Sequence, residues 1–396
     1  MRVFISCPAN LATGGTELLH QLSWHLSSRG VENYMLYINA NPAISPTPEV
    51  FAKYQVQYVT FFVDDESSVL ICPETMIERM YVCTKGIVII WWLSVNNYFT
   101  IYQDSINYCG KMDIFELKKY TRLIHFVQSK YAYEFVDKNI TLGSKKIFYL
   151  TDYINEEIIH IGSKYKNQTE RKDIVLYNPK KGIHNLEHIR ELCRADIQWI
   201  PLQDLTPDQM AKVMCSAKVY IDFGAHPGKD RIPREAAACG CCIITNREGS
   251  AAYTEDVGIP EKYKLSNMQD YAQVLDIIYD LVDNYEQRKN DFEAYATSVL
   301  KEKESFEKEI DNMLKIINEK GTEKHLTWKG ERYDILFNDI QKLVTEIHLL
   351  YKSFHELYLY KEIDKAISEL LKIENALSTL RETNYMIIQD ALAEDN

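Results

Sequence analysis

Within one short stretch, His226, Lys229, Arg231 and Glu235 supply an imidazole, two cations and a carboxylate. Cations running into the start of a helix suit a phosphate, because unpaired N–H groups and the helix dipole both favour negative charge there. Glu235, in the first turn of that helix, sits oddly in such a corner and needs a partner. It either binds a ligand or complements the helix dipole as any first-turn acid does. Two more loops bring cations, Asn178-Pro179-Lys180-Lys181-Gly182 and Asn246-Arg247-Glu248-Gly249-Ser250. Lys180, Lys181, Lys229, Arg231 and Arg247 on one rim of an otherwise acidic chain point to a diphosphate; solvated surface charge is the plain alternative. No GxxxxGK[ST] occurs, which excludes a P-loop.

Near the amino terminus, Gly14-Gly15-Thr16-Glu17 puts two glycines ahead of an acid. Glycine lets a backbone approach a ligand closely, although a simple strand-to-helix turn explains the pair as well. Glu17 is the first candidate for a general base and His226 the second. As ordinary residues, Glu17 is a first-turn acid and His226 shapes the loop before Pro227.

The elements that position these residues follow from periodicity. Val219 to Phe223 is a strand stopped by Gly224. A helix over 234–239 has Pro233 at its first position, where the missing N–H costs nothing. Gly240 closes it in the left-handed conformation, and Cys241 to Thr245 is the next strand. Upstream lie a strand (173–177), a helix (185–193), a strand (196–202) and a helix opened by the capping box Thr206-Pro207-Asp208-Gln209. The first half alternates in the same way: strands at 2–7, 33–38, 69–72, 87–95, 122–128 and 146–150, with helices at 16–28, 74–83 and 130–138. Such alternation means parallel sheets with helices on both faces, where ligands bind at the carboxyl ends of the strands. The polar stretch 160–172 reads as a linker. Beyond Pro260 the chain is nearly all helix, and 4-3 heptads from Leu336 to Leu357 and from Ile363 to Leu380 read as a coiled coil or as a pair packed on its own chain.

At 396 residues, two domains and an appendage are expected: 1–160, 172–318 and a helical extension over 330–396. The net charge of −12 argues against general nucleic-acid binding. Nine scattered cysteines without a secretory signal indicate the cytoplasm. Cys239, Cys241 and Cys242 lack further ligands at zinc spacing and read as small buried residues. The run Ile87 to Leu93 is too short to span a bilayer and reads as a strand buried on both faces. Membrane contact is at most peripheral.

GGTE (Gly14 to Glu17), the KG turn (Lys181-Gly182) and REAAACGCCIIT (Arg234 to Thr245) resemble the GT-B glycosyltransferases, in particular the large bacterial polysaccharide-building family with retaining members. The resemblance covers residues 1 to about 315. It implies an α/β fold of two Rossmann-like domains facing a cleft, with acceptor on the first and nucleotide-diphosphate sugar on the second. Glu235 would bind the donor ribose and Lys181, Lys229 and Arg231 the diphosphate, with Gly14, Gly15 and Ser250 also lining the donor site. Such enzymes generally need no metal or other cofactor, and no DxD triplet is present. The implied acceptor is a glycan or a lipid-linked glycan in cell-surface polysaccharide or glycoconjugate synthesis. The family pattern has a second Glu eight positions before the helix Glu; here that position is Pro227, with His226 and Asp230 beside it, which leaves retaining and inverting courses open. An epimerase on the same scaffold, or an inactive assembly subunit that self-associates through the tail, are the rival readings.

Overall fold

Short runs of β-branched and aromatic residues, each followed by a helix, make parallel strands the economical solution. The computed structural model describes residues 1–99, 123–141 and 146–320 apart from positions 39, 42, 43, 84, 155 and 167, together with Leu117 and Lys372. The chain divides into two compact units, 1–98 with 114–322, and 99–113 with 323–396. Only Phe99 and Lys372 of the second are described, so the heptads and the helical extension over 330–396 lie outside the described residues.

In the first unit, β1 (Arg2–Pro8), α1 (Gly14–Ser28), β2 (Glu32–Ile38), β3 (Tyr58–Val59), β4 (Ser68–Pro73), β5 (Ile87–Trp92), β6 (Ile124–Val127), α2 (Lys130–Val136) and β7 (Ile147–Tyr149) build the first lobe. Its parallel sheet has the order β3-β2-β1-β4-β5-β6-β7. The apolar run at β5 takes a central place there, with Val88 to Trp92 buried.

The second lobe holds α3 (Glu156–Tyr165), β8 (Lys172–Tyr177), α4 (Ile183–Leu192), β9 (Gln198–Pro201), α5 (Pro207–Ser216), β10 (Ala217–Asp222), α6 (Arg231–Ala238), β11 (Cys242–Asn246), β12 (Lys264–Leu265), α7 (Tyr271–Asp283) and α8 (Glu293–Leu300). The sheet order is β12-β11-β10-β8-β9, again parallel. The fold class is α/β with two Rossmann-like sheets.

Several elements differ from the sequence reading. The stretch 160–172 is not a bare linker: α3 reaches Tyr165, burying Ile158 and Gly162 against the second core. Residues 74–82 form 3₁₀ turns in place of an α-helix. Helix α1 begins at Gly14, because Thr13 and Thr16 form a reciprocal capping box around its first turn. Helix α6 begins at Arg231, which places Pro233 third; its missing N–H falls at one of the four positions where a helix start has no intrahelical acceptor, so it still costs nothing. The last described helix, α9 (Glu302–Lys320), falls in the stretch assigned to the second domain, yet it returns to the first lobe. Its apolar stripe Phe306, Ile310, Met313 and Ile317 packs with Leu18, Leu22 and Leu26 in that core.

Candidate active site

Strand order fixes where a ligand can bind. In the second sheet the chain steps from β8 to β9 on one side, then crosses to β10 and continues the other way. The switch point is therefore between β8 and β10, whose carboxyl ends carry the Asn178–Gly182 and His226–Asp230 loops. In the first sheet the switch is between β1 and β4, and the loop after β1 leads into Gly14, Gly15 and Glu17. The two switch points meet. Arg231, first residue of α6, pairs through Nη1 with Glu17 in the first turn of α1, and its Nη2 donates to the Gly14 carbonyl at 3.2 Å.

Glu17 has two further partners, the Tyr54 hydroxyl donating at 2.7 Å and Lys53 Nζ at 3.3 Å. Burial alone would raise its carboxyl pKa; Arg231, Tyr54 and Lys53 hold it below the ordinary value. Glu235 is in the opposite state. It is 6 % exposed, and its carboxylate has no hydrogen-bond or ion-pair partner among the described residues. Burial pushes its carboxyl pKa up against the pull of Arg231 and Arg234.

Among the described residues, four of the five rim cations, all but Lys180, are paired with the protein's own carboxylates. Lys181 Nζ donates to Asp230 at 2.7 Å, Lys229 Nζ lies 3.1 Å from Glu302, and Arg247 turns away to pair with Glu261. An expected cluster of bare cations is thus a set of ion pairs, which an acid-rich chain readily supplies. Lys181 and Asp230 tie the two second-lobe loops together, and His226 extends the tie. Its ring is fully buried, with Nδ1 2.9 Å from Asp230 and Nε2 3.8 Å from Asp222. Burial opposes its charge, but Asp230 and Asp222 raise its pKa above the ordinary imidazole value.

Asp222, His226 and Asp230 are also the described grouping that could hold a metal ion, with ligand atoms within 4.8 Å of one another. The geometry fits an ion pair better, because the ring turns a different nitrogen to each carboxylate. Asp222 is further bonded by the Tyr220 hydroxyl at 2.7 Å and the Gly224 N–H at 2.9 Å. Ser250 is fully buried and donates to the Gly228 carbonyl at 2.7 Å, which fastens its loop to the one that carries Lys229. At Gly14 and Gly15 an added Cβ would sit 3.5 Å from Arg231 and 3.7 Å from Leu93, ordinary contact, so the protein's own packing does not require glycine there.

Residues that sequence reasoning missed hold the lobes together. Arg234, 1 % exposed, donates to Asp152 and Glu302, both at 2.7 Å, and to the Lys229 carbonyl at 2.8 Å. Asp152 follows the last strand of the first sheet and Glu302 opens α9, so one guanidinium grips both crossings between lobes. Gly228 presses on the first lobe, where a Cβ would come within 2.4 Å of the Leu93 carbonyl oxygen. The Lys229 N–H donates to Gln128 at 3.2 Å, and Asp256 accepts from the N–H groups of Lys130 at 2.7 Å and Tyr131 at 3.0 Å. Glu74, at the end of β4, accepts from the Leu93 N–H at 2.8 Å, and burial pushes its carboxyl pKa up to about 7. A cavity of about 810 Å³ opens at the amino end of the second sheet, by Arg171, Gly240 and Tyr285, and none of these site residues lines it.

Among solved structures, the sucrose-phosphate synthase of Thermosynechococcus elongatus superposes with a TM-score of 0.55 at 12 % identity, over 80 % of this chain and 98 % of that one. The fold is GT-B. The GT-B likeness extends, at TM-scores too low to add weight, to a glycosyltransferase from Rickettsia africae (0.48, 14 % identity, 82 % of this chain and 99 % of that one). A trehalose 6-phosphate synthase from Burkholderia multivorans scores 0.49 at 9 % identity, over 80 % and 98 % of the two chains. No family model matches the sequence, and no curated protein matches it. Among the described residues no helix is long and apolar enough to cross a membrane.

Proposed function

We propose that this chain is a glycosyltransferase that moves a sugar from a nucleotide-diphosphate donor on the second lobe to a glycan or lipid-linked acceptor on the first. The observation that carries the proposal is Glu235: a buried carboxylate without a partner among the described residues, beside Arg231, at the meeting of two switch points. A ribose supplies hydroxyl donors for such a carboxylate, and a diphosphate supplies the anion for Arg231, Lys229 and Lys181. These cations and the N-terminus of α6 would stabilise the charge that develops on the departing diphosphate, without a bound metal.

In the transfer, the acceptor oxygen bonds to the sugar's anomeric carbon. The bond from that carbon to the phosphate oxygen breaks, and its electron pair leaves with the nucleoside diphosphate. If the reaction inverts, the acceptor's proton goes to a base, for which Glu17 is placed at the cleft; a retaining course needs no strong base of its own. His226, sealed between two carboxylates, serves this reaction by holding the Lys181 and Arg231 loops in register.

The test is nucleoside-diphosphate release from a panel of nucleotide sugars, with and without oligosaccharide or polyprenyl-linked acceptors. Release that requires an acceptor supports transfer. Donor conversion with no acceptor favours an epimerase. Tight binding of a partner protein with no turnover favours an assembly subunit, a reading to which Pro227 lends weight.

A further inference from the structure

Arg231 already holds an anion. Its pairing with Glu17 joins residues 214 apart in sequence, and both lie in the corner where a donor diphosphate would need to sit. Glu17 does not depend on Arg231 for its place, since Tyr54 and Lys53 anchor its other oxygen from within the first lobe. The Glu235 carboxylate, close enough to feel both Arg231 and Glu17, is left without a partner among the described residues. The corner thus has a cation satisfied by the protein's own carboxylate and a carboxylate with no cation of its own.

Building on the nucleotide-donor reading above, we infer that Glu17 is an internal stand-in for the donor diphosphate, competes with it for Arg231, and is released into the cleft when nucleotide binds. A diphosphate carries more negative charge than one carboxylate and offers pairs of oxygens that a guanidinium grips with two bonds, so it outcompetes Glu17. After the exchange Glu17 keeps Tyr54 and Lys53 but loses the strongest charge favouring its ionised form, so it takes up a proton more readily. The base is therefore armed only with donor in place, and donor must bind before acceptor reacts.

The full chain is titrated calorimetrically with UDP, GDP, ADP, CDP, dTDP and inorganic pyrophosphate. Glu17→Gln should bind the preferred nucleoside diphosphate about three- to tenfold more tightly than wild type, the size of a partly solvated ion pair released from competition. Arg231→Gln should bind it more weakly, and adding Glu17→Gln to that background should give no tightening. Glu17→Asp keeps the charge but loses the reach, and serves as the second variant should Glu17→Gln fail to fold. A role confined to holding the lobes together would weaken binding in every Glu17 variant. Unchanged or weaker binding in the Glu17 variants, with wild type binding normally, overturns the exchange and leaves the donor site standing. No nucleotide binding by wild type or variants overturns both.

Discussion

Replacing Arg234 by Ala should weaken the described fold more than any surface change. The guanidinium is 1 % exposed and makes charge-assisted bonds of 2.7 Å to Asp152 and to Glu302. Glu302 keeps Lys229 at 3.1 Å, but among the described residues Asp152, with its side chain 2 % exposed, keeps no ion pair and only the longer-range pull of Lys229, and its second oxygen has no bond to begin with. Burial would raise the Asp152 carboxyl pKa; Arg234, with help from Lys229, holds it below the ordinary value. Removing one partner of such a buried pair costs about 3–5 kcal/mol. At a urea slope of about 1–3 kcal/mol per molar, the unfolding midpoint should fall by about 1 M or more. Trp91 and Trp92, both fully buried in the first lobe, report by fluorescence, and circular dichroism reports on both lobes. Arg234→Met with Asp152→Leu removes both charges together and should recover most of the loss. A midpoint shift under about 0.3 M for Arg234→Ala, or a double variant no better than the single one, refutes the reasoning.

Gly228→Ala places a methyl 2.4 Å from the Leu93 carbonyl, so the lobes must part there; nucleotide affinity should hold within about threefold while transfer falls at least tenfold, checked by calorimetry beside the release assay. Glu74 has its pKa raised to about 7 from an ordinary 4.5, so the folded state binds the extra proton between those values and stability falls as pH rises through that window. That penalty amounts to roughly 3 kcal/mol above pH 7, and Glu74→Gln should flatten the dependence; melting temperatures from pH 5 to 8 that keep the same slope in the variant would contradict the assignment.

Local chemistry was legible and distant pairing was not. The box at Thr206 and Gln209 forms as read, and Gly240 takes φ +91° just past α6. Both signals lie within a few residues. The start of α6 was misplaced where a distant pairing intervenes: Asp230 precedes Arg231, yet its carboxylate goes to Lys181, far away in sequence, and to His226, and leaves the helix N–H groups uncapped. That ligands bind at the carboxyl ends of the strands followed from the alternation of strands and helices, so the loops leading to Glu17, Lys181, Arg231 and Glu235 could be named in advance, while the switch points needed the strand order. Which carboxylate each cation meets could not. Arg231 finds Glu17, Lys229 finds Glu302 and Arg234 finds Asp152 through the packing of two lobes, and no spacing in the chain encodes those encounters.

The central claim is a nucleotide-sugar site built around Glu235. Its most direct test is calorimetric titration of wild type and Glu235→Ala with nucleoside diphosphates and nucleotide sugars. Selective binding of one nucleotide by wild type, weakened about ten- to a hundredfold by the substitution, is the predicted result for a carboxylate bonded to ribose hydroxyls. No nucleotide binding at millimolar concentration, or equal affinity in both proteins, would contradict it.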